Sequence, residues 1–280
     1  MNKPMIFRTL LGLLLVLPGL SARAELKPEW ELGAGVAAID FPLYRGAAER
    51  RTYVLPTPYV QYRGKFLQVD RDRVRGLLFR SERVEMDISV NGSVPVSSKD
   101  SSARQNMPDL DPTLEIGPEV QVHLYYDQRK HNNLDLRLPL RSVFAVNFGR
   151  FEHVGWIFHP KLNLDLRNVL AGGWNLGLQG GWIYGDRGYH GYFYDVAPQY
   201  ATTQRPSYSA SGGASGSQYI VSLGRKYGDM WMGAFIKYDD LRGAVFEGSP
   251  LVQRREDTSA GFLVAWVFSK SDKLVEVSDD

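Results

Sequence analysis

Cysteine is absent from this chain, so neither a disulfide nor a thiolate metal site is available to it. Long hydrophobic runs are missing too. After residue 24 no apolar stretch approaches the roughly 20 residues that a membrane helix needs. There is no excess of one charge either. The 33 basic residues face 31 acidic ones, scattered along the chain, which excludes the electrostatic footprint of a nucleic-acid binder. Metal and nucleophile signatures are lacking as well: no HExxH spacing occurs among the five histidines, and nothing resembles a nucleophile elbow.

What is present begins with MNKPMIFRTLLGLLLVLPGLSARA. Lys3 and Arg8 precede an apolar run, Thr9 to Leu17, that is too short to span a bilayer. Pro18 and Gly19 break it, and Ala22-Arg23-Ala24 fits a small-x-small cleavage site. The reading is a secretory leader over 1–24, exported by the Sec route, with a mature chain starting at Glu25. Loss of Lys3, Arg8 and Arg23 takes the 33 basic residues to 30 against 31 acidic, so the mature chain is near neutral. No lipobox cysteine is available, so no lipid anchor is expected.

The mature part is rich in Tyr (15), Phe (13), Trp (6) and Gly (28), a composition that suits an outer-membrane β-barrel. Alternation supports this. Val84, Met86, Ile88 and Val90 alternate with Glu85, Asp87, Ser89 and Asn91. Leu114, Ile116, Val120, Val122 and Leu124 alternate with Glu115, Gly117, Glu119, Gln121 and His123. Leu134, Leu136, Leu138 and Leu140 face away from Asp135, Arg137 and Arg141. Phe158, Leu162, Leu164 and Leu166 oppose His159, Lys161, Asn163, Asp165 and Arg167. Long strands with one apolar and one polar face place lipid outside and polar groups inside.

Weaker segments complete the set: Trp30–Ile39, Tyr53–Tyr62, Phe66–Asp70, Val74–Arg80, Trp174–Tyr184, Ser217–Lys226, Met230–Asp239 and Ser259–Phe268. The fold class is therefore all-β, a transmembrane antiparallel up-and-down barrel of about 12 strands, with 10–14 inside the softness of the boundaries. If strand one rises from the periplasm, the longest gaps (Phe41–Thr52, Ser93–Thr113, Gly185–Gly216, Asp240–Thr258) all fall outside. Short turns such as Arg63–Lys65 and Tyr227–Asp229 face the periplasm, as barrels require. Trp30, Trp174, Trp182, Trp231 and Trp266 lie near strand ends and are read as aromatic girdles. The expected division is a leader over 1–24, a barrel over 25–268 and a flexible periplasmic tail over 269–280.

The candidate site residues on the strands are lumen groups: Glu85, Asp87, Glu115, Glu119, His123, Asp135, Arg137, Arg141, His159, Lys161 and Asp165. His123 and His159 could approach each other or Glu119. Paired carboxylates could do acid-base work, but mixed charges more often tie a wall together, because desolvated charges need partners. A narrow selective pore is the next reading. No catalytic, cofactor or metal residues are expected. Ser207–Ser217 and His190 read as loop, and the apolar groups of residues 240–257 read as a cap or plug in preference to an exposed contact surface.

The C-terminal third carries FYDVAPQYATTQRPSYSASGG (Phe193–Gly213), GAFIKYDDLRGAVFEGSPLVQR (Gly233–Arg254) and AGFLVAWVF (Ala260–Phe268). Near the N-terminus stand ELGAGVAAIDFPLYRG (Glu31–Gly46) and VLPTPYVQYRGKFLQVD (Val54–Asp70). In these stretches the chain resembles the MipA/OmpV family of outer-membrane proteins, least so over Ser81–Asn175. Its family-like outer-loop positions are Asp195, Pro198, Tyr200, Arg205, Pro206, Phe246 and Pro250. The resemblance implies a barrel, seated in outer-membrane lipid and expected to be monomeric. It also implies a scaffolding role in murein synthesis, linking a lytic transglycosylase with a penicillin-binding protein. Other members of the family are similar to porins for small solutes or to surface adhesins. It carries no catalytic residues to transfer.

Overall fold

The computed structural model describes residues 25–64, 67–69, 74–127 and 132–277; the expected leader lies outside the described residues. The elements in chain order are β1 (Glu25–Pro28), β2 (Trp30–Pro42), β3 (Arg50–Arg63), β4 (Leu67–Val69), β5 (Val74–Arg80), β6 (Val84–Ser93), β7 (Thr113–Asp127), β8 (Asn132–Asn147), β9 (Arg150–Phe158), β10 (Lys161–Leu170), β11 (Trp174–Gly185), α1 (Arg187–Tyr194), β12 (Gly213–Tyr227), β13 (Met230–Asp240), β14 (Glu256–Lys270) and β15 (Leu274–Val277).

Strands β2 to β14 form one antiparallel ring of neighbours. β14 pairs back onto β2, with Phe262 opposite Ala38 and Trp266 opposite Ala34. β9 and β10 are two halves of a single crossing. β8 pairs with β9 at Leu140↔Phe158 and with β10 at Arg137↔Lys161. Pro160 between the halves has no N–H to give the ladder, and the strand breaks there. Thirteen segments therefore make twelve strands of the sheet, the number the alternation predicts, with β4 and β5 short.

The two faces follow the sequence period. Phe262, Trp266, Ile236, Val221, Trp182 and Leu162 are exposed on the outer wall, where lipid covers them. Glu31, Glu85, Asp87, Glu115, Glu119, Asp135, Asn163 and Asp239 are buried inside. Trp231 departs from the expected girdle. It lies opposite Ala265, which is fully buried, and packs with Tyr59 and Val267 on the lumen side. The rule that places Trp near a strand end does not fix its face; pairing parity does.

Two other expectations are revised. The β8–β9 hairpin rises well beyond Ser142, turning at Phe148 and Gly149 with φ of 41° and 84°. Two consecutive positive φ values are those of a tight I′ hairpin turn. The tail is not a free extension: Ser269 and Lys270 complete β14, and Leu274–Val277 pair with Pro28–Glu25 in a small second sheet. Apolar Leu274, Val275 and Val277 supply the strand pattern there, and the last three residues lie outside the described residues.

The long connections at one end do not splay into solvent. Residues from all four meet in one apolar cluster: Leu43, Tyr44 and Ala47; Val96 and Leu110; Tyr194 and Ala210; Leu241, Ala244 and Phe246. A second cluster adds Ala103, Met107, Val196 and Leu251. The barrel thus carries a folded cap with its own core.

Candidate functional site: a polar lumen beneath a packed cap

The lumen groups fall into local networks. On β7 and β8, Arg141 Nε donates to Glu115 at 2.9 Å and its Nη1 to Ser89 Oγ at 3.3 Å. Asn91 adds a 3.3 Å bond to the same Glu115. Glu85 meets Arg80 at 3.0 Å. Asp87 and Glu119 stand opposite each other across β6 and β7, and Arg137 stands opposite both Gln121 and Lys161. His123 Nδ1 lies 2.8 Å from Asp135, which also accepts from Asn133 at 2.8 Å; Asp165 accepts from Asn163 at 2.7 Å.

His123 and His159 are not brought together. His123 pairs with Asp135, whereas the His159 N–H donates to the carbonyl of Pro139 at 3.2 Å. Asp135 and Pro139 are roughly 13 Å apart along β8 at about 3.3 Å per residue. Among the described residues, no group of three or more His, Asp and Glu side chains is placed to hold a metal ion. The arrangement is one of paired charges lining an interior, with donors at Glu85, Glu115, Asp135 and Asp165, as burial demands.

Two lumen anchors were not among the candidates drawn from sequence. Glu31 accepts from Arg63 at 2.8 Å and also pairs with Lys226. Asp239 accepts from Arg45 at 2.9 Å, Gln218 at 2.9 Å and pairs with Lys237 at 3.2 Å. Arg45 belongs to the β2–β3 loop, and its Nη1 also donates to the carbonyl of Ser215 at 3.0 Å. It is the bolt that fixes the cap to the wall below. The inward parity of Lys237 and Asp239 was a signal for that position; the arrival of Arg45 was not.

The cap centres on the stretch YFYDVAPQYATTQRP. Its start is helical. Asp186 caps α1, accepting from the Tyr189 N–H at 2.8 Å, and Asp195 ends it, bonded to Arg187 at 2.7 Å and accepting from the Ala210 N–H at 2.7 Å. α1 seats in the barrel mouth, where Tyr189 and Tyr192 pack on Val143, Ala145, Val154, Ile157 and Ile183 of the inner wall. Gly155 permits this. A Cβ there would lie 2.2 Å from Asp186 Oδ1 and 2.3 Å from the Tyr189 nitrogen, and its φ of +145° suits glycine alone.

Each family-like loop residue takes a place in this cap. Phe246, 1% exposed, stacks on Tyr194 at 3.8 Å and meets His190 edge-on at 4.7 Å. Pro198 opens the turn that ends at Tyr200. Arg205, just ahead of Pro206, donates to the carbonyls of Tyr200 (2.7 Å), Ala103 (2.8 Å) and Gln105 (2.9 Å), joining two loops. Beside Pro250, Ser249 donates to the Tyr194 carbonyl at 2.8 Å, and the Tyr44 hydroxyl donates to the Leu251 carbonyl at 2.9 Å. Arg104, also buried, donates to Phe193 at 2.9 Å.

Burial governs the titration of these groups. It raises Tyr189 and Tyr194 well above the ordinary phenol range and pushes Tyr192 up to about 12. It lowers Arg104, with its guanidinium resting on carbonyls, and it lowers His190. His190 Nδ1 donates to the Ser211 carbonyl at 2.6 Å, which leaves Nε2 to accept from Ser215 Oγ at 2.6 Å. Chemically the site is a packed cover over a charged, self-paired interior, and its His190–Ser215 pair is buried in the cap core.

Solved structures with a similar outline include a bacterial polysaccharide outer membrane secretin (TM-score 0.41, 8% identity, covering 85% of this chain and 99% of that one). An outer membrane channel from Pseudomonas putida F1 gives a TM-score of 0.37 at 11% identity, covering 90% and 100%. The outer membrane channel DcaP of Acinetobacter baumannii gives 0.36 at 9%, covering 90% and 100%. No curated protein sequence matches the chain. The family model described as MltA-interacting protein MipA matches residues 32–268, from the third residue of β2 to the outer-wall Phe268 of β14. This outer-membrane β-barrel chain belongs to the MipA family.

Proposed function

We propose that this protein is a membrane-seated scaffold of murein synthesis, presenting its periplasmic face to a lytic transglycosylase and, through it, to a penicillin-binding protein. The observation that carries the reading is membership of a family described as MltA-interacting. The shape of the molecule supports it. The outer mouth is occupied by a packed cap, so an axial channel is a poor account of the interior.

At the opposite end the β1–β15 sheet adds a periplasmic surface beyond the barrel turns. It is tied down by the Glu29 N–H to the Lys273 carbonyl at 2.9 Å and by the Lys273–Glu29 ion pair at 2.6 Å. This is the surface a periplasmic enzyme would meet. Export by a leader cleaved after Ala24, and a monomeric barrel, belong to the same reading.

The test is affinity purification of the full-length protein from native envelopes after mild crosslinking. A lytic transglycosylase should be recovered, and deletion of 271–280 should reduce it while the barrel remains heat-modifiable on gels. Recovery of no murein enzyme from crosslinked envelopes would remove this reading. Discrete conductance in planar bilayers with the native cap in place would replace it with the porin.

A further inference from the structure

Arg225 points the wrong way for a charge in a barrel wall. β12 pairs with β13 without a shift from Ser217↔Asp240 to Tyr227↔Met230, so its parity holds along the whole strand. Tyr219 and Val221, each 48% exposed, and Tyr227, 66% exposed, face out. Lys226 faces in, where it pairs with Glu31. Arg225 lies four residues from Val221 and two from Tyr227, and so shares their face. It stands opposite Met232, which has the parity of the exposed Ile236. Its side chain therefore leaves the wall on the lipid side.

Its height is set by the neighbouring strand. The outward residues of β11 run from Trp174 to Tyr184, about 33 Å of strand at about 3.3 Å per residue. At a tilt near 40° that spans about 25 Å of membrane, the height of a barrel's apolar band. Trp174 opens β11 and Tyr227 closes β12, each beside a short periplasmic turn. Arg225 lies between these two, at the lower border of the band.

The guanidinium is held there without a counter-ion. Its Cζ lies 5.4 Å from the Tyr227 ring centroid and 5.9 Å from that of Trp174, within cation–π range. The Nε is buried and, among the described residues, makes no hydrogen bond. No described carboxylate pairs with Arg225. Two acids at this end are already taken: Asp229 in the adjoining turn by Lys270, and Glu31 on the inner face by Arg63 and Lys226. The β10–β11 turn leaves room for the fork. A Cβ on Gly172 would come within 2.9 Å of Nη1 and 3.2 Å of Nη2, and its φ of +90° suits glycine.

A guanidinium keeps its proton, so Arg225 carries a full charge at the edge of the hydrocarbon, where such a charge needs a partner. The aromatic rings attract it but leave Nη1 and Nη2 to bond elsewhere. That planar fork matches two oxygens of a phosphate. Phosphate is the anion a bilayer places at this depth, just beyond the acyl chains that cover Leu223 and Met232.

We propose that Arg225, with Trp174 and Tyr227, binds the phosphate of an anionic phospholipid in the periplasmic leaflet, whose chains run along Leu176, Leu223 and Met232. The site pins a lipid at the end of the barrel that carries the β1–β15 sheet. It stands whether or not a murein enzyme binds there.

The test is native mass spectrometry of the full chain in mild detergent, titrated with phosphatidylglycerol, phosphatidylethanolamine or inorganic phosphate. The first phosphatidylglycerol should bind the native protein at least about tenfold more tightly than it binds Arg225→Gln, equivalent to about 1.4 kcal/mol. It should also bind more tightly than phosphatidylethanolamine, whose own ammonium competes for the phosphate. Arg225→Lys should recover only part of the affinity, since an ammonium lacks the fork. Lys273→Gln removes another cation of the same end and should change nothing. Heat-modifiable migration reports folding of each variant, and the contrast between lipids is read on the native protein alone. Equal phosphatidylglycerol binding by the native protein and Arg225→Gln would overturn the site. So would an equal loss in Lys273→Gln, which would mean general electrostatic attraction, or equal binding of the two lipids. Displacement of the lipid by inorganic phosphate would overturn it too, in favour of a site for a free anion.

Discussion

The wall and the cap of this protein are built inside out with respect to each other. The wall turns Phe262, Trp266 and Ile236 outward and buries Glu115, Asp135 and Asp239; the cap buries Phe246, Leu241 and Leu251, and its buried Arg104 rests on backbone carbonyls. The wall's solvent on its outer face is lipid, and its backbone is satisfied by the strand ladder. The cap stands in water and must hold itself by an apolar core, as any soluble fold does. The same residue type therefore has opposite duties in the two regions, and the sharpest experiments substitute one type in both.

Phenylalanine gives the largest contrast. Phe246→Ala should cost the cap about 3–5 kcal/mol, the range for emptying a buried aromatic site. Protease should then cut the outer loops of intact cells while the barrel still migrates as a folded band. Phe262→Ala, on the lipid face, should leave loop protection unchanged. Equal protease sensitivity in the two variants would mean that the cap has no independent core.

The reverse substitution probes the wall. Phe262→Arg places a charge on the lipid face, where the cost is about 2–4 kcal/mol near the midplane. The urea midpoint for refolding into vesicles should fall, with no change in loop proteolysis of the folded fraction. An arginine already in the cap, Arg205, sets the third level. Its removal by Arg205→Ala strips donors from the carbonyls of Tyr200, Ala103 and Gln105, at about 1.5–3 kcal/mol for bonds to a charged group. Arg205→Lys should restore only part, since one ammonium cannot span three carbonyls in a fixed fork. Full rescue by lysine would show that charge, and not reach, is what the cap uses.

How far the sequence could be read tracks the same division. The crossings announce themselves wherever lipid and lumen differ, as at Val84–Val90 or Leu114–Leu124, because the two solvents impose period two. Alternation fails over Val143–Ile157, so the sequence alone shows no strand there. There the inner wall is covered by Tyr189 and Tyr192 of α1, so Val143, Ala145, Val154 and Ile157 face an apolar neighbour in place of water. α1 itself was hidden, being only eight residues long and held by contacts from other loops. The Arg45–Asp239 bolt joins residues 194 apart in sequence, and no local pattern encodes it. The family-like residues Asp195, Arg205 and Phe246 were visible as a set, but their purpose, closing a cap, needed three dimensions.

The smallest expected effect separates the regions by pH. His190 sits at the cap centre, with Nδ1 donating to the Ser211 carbonyl and Nε2 accepting from Ser215. Burial is the main cause holding its pKa below the ordinary 6.5, with Arg45 adding to the depression, while the Ser211 carbonyl and Asp186 pull the other way. Between that depressed value and 6.5, an opened cap binds more protons than the closed one. Its stability is therefore present above about 6.5 and declines as pH falls toward the folded-state value. Loop proteolysis should quicken from pH 7.5 to pH 5. In His190→Gln, where the amide can keep a donor and an acceptor without titrating, the rate should be flat across that interval. The urea midpoint of the barrel should not follow the same curve, because the ladder that holds the wall does not depend on this ring. If wall and cap respond to pH together, His190 is a reporter of one cooperative unit, and the cap is then no separate fold but the last turn of the barrel's own.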